Sequence, residues 1–356
     1  MKKAMILFMK ALLFLVIASL VYIAGTIIFA MVFDYKPSKE NNAEIKTAKT
    51  PVASKINDTL SFITWNLGYG GLGKESDFFY DGGKMVRPTK ILAQKNNIGI
   101  QKQIQQFNSQ NIDFLLFQEV DINSKRSYHT NQWENASNIL DEYHSSFGKN
   151  YDVKYVPIPL TKPMGKALGG VVSFYKTTPS QPVKRYSFPA NFAFPKGLFF
   201  LDRCFTLHRF PYKDKELIVI NTHNSAYDGG TLKKEEMAYF HDYLTVEYER
   251  GNYVVVGGDW NQIPPGYTPK LPAGVSNYEE TPIPEGYLPL GWTWAFDGNT
   301  ATNRKVDAPF QEGKTYTTVI DFFLLSPNIS LIEVKGIANG FENSDHQPVF
   351  MKIKLN

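Results

Sequence analysis

Cysteine is almost missing from the chain: Cys204 stands alone, so no intrachain disulfide can form. A disulfide-stapled secreted miniprotein is thereby excluded, while the compartment stays open. Cys204 lies in the strand-like run Phe199 to Phe205, where a buried structural thiol is expected. No His/Cys cluster has zinc-ligand spacing, which argues against a zinc centre. Charge of one sign is also scarce. A formal net charge of +4 does not by itself point to a nucleic-acid partner, and a local basic groove would need the fold to reveal it. The glycine-rich run Gly68-Tyr69-Gly70-Gly71-Leu72-Gly73 lacks a Gly-Lys-Ser/Thr ending, which excludes a phosphate-cradling P-loop. Repeats and low-complexity tracts are absent. Apolar side chains, in contrast, are plentiful. At 43% hydrophobic and 14% aromatic residues, the chain can bury a large core and is not globally disordered.

From Ala11 to Phe33 run 23 residues without a charge. As a helix this is about 35 Å at 1.5 Å per residue, enough to cross a bilayer core. It is longer than the apolar region of a cleaved signal peptide, and no small-residue cleavage site follows. Residues 1–33 are therefore expected to form an uncleaved signal anchor. Lys2, Lys3 and Lys10 before the span favour an inside N-terminus, although Lys36, Lys39 and Lys46 after it weaken the asymmetry. The simple reading is a single-pass protein with its catalytic domain extracytoplasmic, periplasmic in a Gram-negative cell. Residues 34–57 are polar, with Pro37 and Pro51, and read as a tether. Residues 58–356 then form one catalytic domain.

That domain is organised around Val254-Val255-Val256-Gly257-Gly258-Asp259-Trp260-Asn261. The valines favour a buried strand, and the glycines allow a tight turn at its end. Residues two apart on a strand share a face, so Asp259 and Asn261 can point into one pocket, although an Asx-rich turn has the same appearance. Four more apolar runs end in polar clusters: at Asn66, at Gln118-Glu119, at Asn221-Thr222-His223, and around Ser344-Asp345-His346. Helices are expected from the high 90s to Gln110, around Trp133 to Tyr143, and around Met237 to Leu244. Strands are expected at residues 60–66, 112–119, 151–156, 169–175, 198–210, 216–221, 317–325, 331–334 and 348–353. Residues 264–289, rich in proline and glycine, are expected to be irregular. Strands with helices recurring between them fit a layered α/β sandwich.

The ordered set Trp65-Asn66, Gln118-Glu119, Asn221-Thr222-His223, Gly258-Asp259-Trp260-Asn261, Ile320-Asp321 and Ser344-Asp345-His346 resembles the endonuclease/exonuclease/phosphatase superfamily, the DNase I-like metal-dependent phosphoesterases. The resemblance covers roughly residues 58 to 356 by the boundaries a sequence allows. It implies a DNase I-like four-layer sandwich of two mixed β-sheets flanked by helices. It also implies roles for the residues. Glu119 is the main metal ligand, with Asn66 and Asp345 close to the metal. Asp259 activates the attacking water, and Asn261 holds water or phosphate. His346 contacts the phosphoryl oxygen, Asp321 fixes its tautomer, and His223 binds phosphate or donates a proton. Arg126, just after Glu119, can reach a phosphate or be a solvated loop charge. Hard oxygen ligands suit Mg²⁺, or Mn²⁺.

Three functions fit these residues. The first is a membrane-anchored phosphodiesterase or phosphatase acting on a lipid headgroup or other small phosphoester, which is favoured. The second is a nuclease on DNA or RNA, which the modest charge does little to support. The third is a catalytically silent binding module, against which a base and a metal ligand together argue. Residues 69–90 and 264–315 match no motif and would set specificity.

Overall fold

The computed structural model describes residues 1–51, 55–226, 228, 230–273, 275 and 280–356. Residues 52–54 of the expected tether, and 274 and 276–279 of the expected irregular insertion, lie outside the described residues.

Two seven-stranded sheets pack face to face. The first runs β1 (Glu40–Asn42), β7 (Lys184–Ser187), β8 (Cys204–Tyr212), β9 (Lys215–His223), β10 (Tyr253–Asp259), β14 (Asp321–Leu325) and β11 (Thr293–Ala295). The second runs β15 (Ile329–Gly336), β16 (Val349–Leu355), β3 (Thr59–Asn66), β4 (Phe114–Asp121), β6 (Gly165–Tyr175), β5 (His144–Val156) and β2 (Glu44–Lys46). A small ribbon, β12 (Asn303–Arg304) with β13 (Thr317–Thr318), sits apart. Helices α2 (Lys90–Ser109) and α3 (Gln132–Ile139) cover the outer face of the second sheet, and α4 (Thr231–Glu249) covers that of the first. This is the expected four-layer sandwich of mixed sheets.

The period-2 geometry of a strand explains the layering. In β10, Val255 enters the core between the sheets, where Phe62, Phe114 and Phe323 meet, while Val254 and Val256 face the α4 layer. In β3, Leu60 and Phe62 face the inter-sheet core, and Ile63 and Trp65 face α2. Strands buried on both faces read as continuous apolar runs, which is why they were conspicuous in the sequence.

Several boundaries differ from expectation. Helix α2 begins at Lys90, with Thr89 capping it by accepting from Leu92 N at 3.2 Å. Its first turns carry buried Asn96 and Asn97 in place of apolar periodicity, and Asn96 donates to Gly70 O. The expected strand at 198–210 divides into a 3₁₀ turn at Lys196–Phe199 and β8. The strand expected at 317–325 breaks where Ile320 N and Asp321 N both donate to Thr302 Oγ1. The expected tether carries two edge strands: β1 pairs with β7 and β2 with β5. Three-residue edge strands with mostly exposed side chains show no apolar alternation, so composition alone read them as linker.

Helix α1 (Lys2–Val32) is long and apolar enough to cross a membrane. Its C-terminal part touches the domain at β5 and the Lys196–Phe199 turn, with Tyr22 Oη 3.2 Å from Tyr155 Oη and Ala30 buried.

Candidate active site

The parallel pairs β3/β4 and β9/β10 bring their C-terminal ends to one edge of the sandwich. In the first sheet Asp259 lies in register with His223 on one side and Asp321 on the other. In the second, Asn66 pairs with Gln118, and Glu119 follows inside a register shift between Phe117 and Val120. Glu119 adopts φ 50°, Asn261 φ 50° and Tyr69 φ 44°. Left-handed backbone at a residue other than glycine costs about 1 kcal/mol or more and gathers at functional sites. All three residues line one cavity of about 570 Å³. Its wall also holds Asp259, His223, Asp345, His346 and Arg126. Asn66 and Asp321 lie directly beneath, tied to the wall by hydrogen bonds.

Asp259 is buried and held from two sides. Asn66 Nδ2 donates to its Oδ2 and Asn261 N to its Oδ1, both at 2.9 Å. Asn261 Nδ2 donates to Asn224 O at 3.0 Å, which fixes that carboxamide beside the carboxylate. His346 Nδ1 is 2.8 Å from Asp321 Oδ2, and its Nε2 is 3.8 Å from Asp259 Oδ2. Trp65 Nε1 donates to His346 O at 2.9 Å, anchoring the backbone behind the ring. His223 Nε2 is 3.5 Å from Asp259 Oδ2 and 3.8 Å from Glu119 Oε1. Arg126 is not a solvated loop charge. It is buried, donates through Nε and Nη2 to Asp121, and lies 3.8 Å from the centre of the Tyr69 ring.

Burial opposes a charge on the His346 ring, but the carboxylates of Asp321, Asp345 and Asp259 outweigh it and raise its pKa. His223 shifts the other way. Burial, with the nearby charges of Arg203, His346 and Arg126, pushes it well below the ordinary histidine value and leaves it neutral. The two site histidines therefore differ in charge, as an acid and a neutral partner would. Asp345 is pushed up to about 7 by burial, with the charge of Glu119 adding to the effect and His346 and Arg304 opposing it.

A divalent cation fits this donor set. Glu119 and Asp345 bring two carboxylates, the charge of Glu119 helping to raise the pKa of Asp345, and Asn66 adds a carboxamide oxygen that already accepts from Gly68 N. Asp259, Asp321 and His346 form a second, more compact group, with donor atoms within 4.8 Å of one another, and Asp321 Oδ1 has no hydrogen-bond partner among the described residues. The sequence reading placed the ligands in the first group and the acid–base residues in the second.

Sequence reasoning missed several supporting residues. Asn303 Nδ2 lies 3.0 Å from His346 Nε2. Arg304, buried, donates through its guanidinium to the carbonyls of Leu72, Gly73, Ser76, Lys305 and Ala308, closing loops over the pocket. Ser344 Oγ donates to Asn66 O. Asn303 and Arg304 carried no pattern signal, because each works through a loop carbonyl or a side chain far away in sequence, whereas Ser344 stood in the Ser344-Asp345-His346 cluster without a role of its own. Glu236 on α4 is a further case. It accepts from Ser225 N at 2.9 Å and Ser225 Oγ at 2.5 Å, holding the loop beside Asn224 and Asn261. Burial raises its pKa from 4.5 to about 7. Its stabilising effect is complete below the unfolded value and is lost as pH rises through the folded one, by roughly 3 kcal/mol. Glu236→Gln is expected to melt higher than the parent at pH 8 and equally at pH 4, read by calorimetry.

Residues 63–346 match the Endonuclease/Exonuclease/phosphatase family. The chain belongs to this family. Its members are phosphoesterase hydrolases and are generally dependent on a divalent metal. Solved structures share the fold. An endonuclease/exonuclease/phosphatase from Beutenbergia cavernae DSM 12333 is 15% identical, with 84% of this chain and 72% of that one covered and a TM-score of 0.55. D. rerio TDP2, complexed with single strand DNA product, is 12% identical over 84% of this chain and 100% of that one, with a TM-score of 0.51. ANGEL2, a 2',3'-cyclic phosphatase in complex with adenosine-2',3'-vanadate, is 16% identical over 90% and 99%, with a TM-score of 0.51. No curated protein sequence matches the chain significantly.

Proposed function

We propose that this chain is a membrane-anchored, Mg²⁺-dependent phosphoesterase (with Mn²⁺ as the alternative ion) that hydrolyses a small phosphoester, a lipid headgroup being favoured, by attack of an activated water. The observation that carries it is the convergence of Asp259, the Asp321–His346 pair, Glu119 and Asp345 on one cavity. Asp259, oriented by Asn66 and Asn261 N, accepts the proton of the attacking water. Asn261 positions that water or a phosphoryl oxygen. His346, charged and oriented by Asp321, donates to a phosphoryl oxygen, where charge builds up in the transition state. Neutral His223 binds phosphate or passes a proton, and Arg126, locked by Asp121, is a fixed positive wall for the substrate. Glu119, Asp345 and Asn66 would hold the cation, whose contribution is to neutralise the phosphoryl oxygens and the leaving oxygen.

The pocket walls favour a small substrate over nucleic acid. Acidic side chains are at least as numerous as basic ones around the cavity, and Phe78, Tyr80, Phe192, Phe199 and Phe200 make much of it aromatic. A polyanion needs a basic track instead. Helix α1 supports the membrane placement, and the lysines before it support an extracytoplasmic domain.

The test is hydrolysis by the full chain in detergent against a chromogenic diester, choline and inositol phospholipids, sphingomyelin and plasmid DNA. Headgroup release that needs Mg²⁺, falls at least about 100-fold with chelator and returns on adding metal is the expected result. Nicking of DNA with no headgroup release would favour the nuclease. Silence without metal binding would favour a binding module.

A further inference from the structure

We infer that Arg203 and Lys233 form an anion subsite beside His223, where the substrate places a second phosphate or a carboxylate. The inference rests on the reading of the cavity as a phosphoester site. It names the class of ester: one whose alcohol or headgroup carries a further acidic group.

The cationic side chains on the cavity wall are not alike. Arg126 gives two donors to Asp121, and Arg304 gives its own to loop carbonyls. Arg203 and Lys233 also line the cavity, but their donors are not taken up in this way. Among the described residues the Arg203 guanidinium makes no hydrogen bond or ion pair, and its Nη1 is buried without a partner. Lys233 stands on the first turn of α4 with its side chain only 8% exposed. Its ion-pair partner is Asp228 Oδ1, 3.7 Å from Nζ, which is too long for a hydrogen bond. Asp228 Oδ1 has no hydrogen-bond partner either. The other oxygen of Asp228 is committed to the backbone, accepting from Gly230 N, Leu232 N and Lys233 N at the start of α4. A buried cationic donor without an acceptor is costly, and an oxyanion in the cavity would supply what the protein does not.

The backbone sets this pair beside the chemistry. Cys204 opens β8 in register with His223, so Arg203 and Asn224 come one step beyond that pair. Opposed Cα atoms on paired strands are about 5 Å apart. The charge of Arg203 accordingly reaches His223, where it adds to burial in lowering the pKa, and Glu236, where it opposes burial. Glu236 holds Ser225, two residues past His223, and follows Lys233 by three residues on the same side of α4. Arg203 and Lys233 therefore flank one loop. His223 Nε2 faces Asp259 at 3.5 Å and Glu119 at 3.8 Å, so a single residue links the subsite to the reacting centre. One small molecule can set its scissile phosphate among those carboxylates and a cation, and a second acid against Arg203 and Lys233.

The experiment measures binding and not turnover, with the full chain in detergent and Mg²⁺ present. Three phosphonates that cannot be hydrolysed are titrated by calorimetry: methylphosphonate, 3-phosphonopropionate and propylene-1,3-bisphosphonate. Expected is an affinity at least about tenfold higher for the bisphosphonate than for methylphosphonate, the scale of one charge-assisted hydrogen bond. Arg203→Gln and Lys233→Gln should each bring that ratio below about threefold, and Arg203→Lys should keep most of it. Chelation of Mg²⁺ by the ligand is common to parent and variants, so it cancels in the comparison. Melting temperatures of the Arg203 variants should match the parent, because the guanidinium has no partner among the described residues to lose. A gain for the bisphosphonate alone would assign the subsite to phosphates, and an equal gain for 3-phosphonopropionate would extend it to carboxylates. Equal affinities for methylphosphonate and the bisphosphonate, or a ratio that survives both glutamine variants, overturns the subsite and leaves the phosphoester site standing. Failure of every phosphonate to bind would overturn both readings.

Discussion

Replacing Asp259 with asparagine is expected to lower kcat for the preferred phosphoester by about 1,000-fold and to move KM little, on the scale of general-base catalysis. The substitution preserves shape and removes the ability to accept a proton. The setting makes the consequence severe. Both carboxylate oxygens receive hydrogen bonds, from Asn66 Nδ2 and from Asn261 N. An amide nitrogen turned toward either would face a donor, so the new carboxamide would also lose the orientation of the old carboxylate. Steady-state kinetics on a chromogenic diester with Mg²⁺, together with circular dichroism to show that the fold persists, check this. A loss smaller than about tenfold would make Asp259 a scaffold residue and move the base elsewhere.

The largest effect on stability is expected at Gly258. Its φ of 157° still lies outside the range most side chains adopt, and a Cβ there would stand 2.0 Å from Thr222 O and 2.9 Å from Thr222 C. These are backbone atoms of the adjacent β9, in register with Gly258, and they cannot swing aside as a side chain would. Gly258→Ala is expected to destabilise the domain by about 3 kcal/mol or more, roughly 5 °C or more in Tm for a chain of this size. At Gly257 the first obstacles are the Phe323 ring and a Leu116 methyl, so Gly257→Ala should cost less. Calorimetry on the pair separates the two cases, and equal melting would show that β9 and β10 can part freely.

Much of this site was legible because strand ends announce themselves. A buried strand must be apolar along its length, so a carboxylate or carboxamide directly after Val254–Val256 or Phe114–Phe117 stands out. The parallel pairing then delivers those positions to one edge. The resemblance supplied the order, and the geometry placed Asp259, Asn261, His223, His346, Glu119, Asp345 and Arg126 around one cavity. What was not legible depends on backbone conformation and on distant partners. Nothing in Gln118-Glu119-Val120 shows that Glu119 takes φ 50° within a shifted register. Arg126 is neither free nor solvated, because Asp121, on the same strand as Glu119, takes two of its donors. Asn303 and Arg304 lie in stretches with no periodicity, Glu236 is a lone acid on a periodic helix, and their roles follow from the closing of loops. The strands β1 and β2 were hidden for a different reason: an edge pairing is made by the backbone, which composition does not record.

Those two edge strands carry a mechanical consequence. Only Ala43 separates them, and its N–H donates to Val183 O while the residues on either side join opposite sheets. Seven consecutive residues therefore grip both halves of the sandwich at the edge nearest the N-terminal helix in sequence. A pull transmitted through that helix meets the β1/β7 ladder first and reaches the β2/β5 ladder only after it, so two sets of hydrogen bonds stand in series ahead of β3. Parting the two sheets at this edge would require one of these two pairings to break, so the segment is a clasp between the layers that hold Asp259 and Glu119.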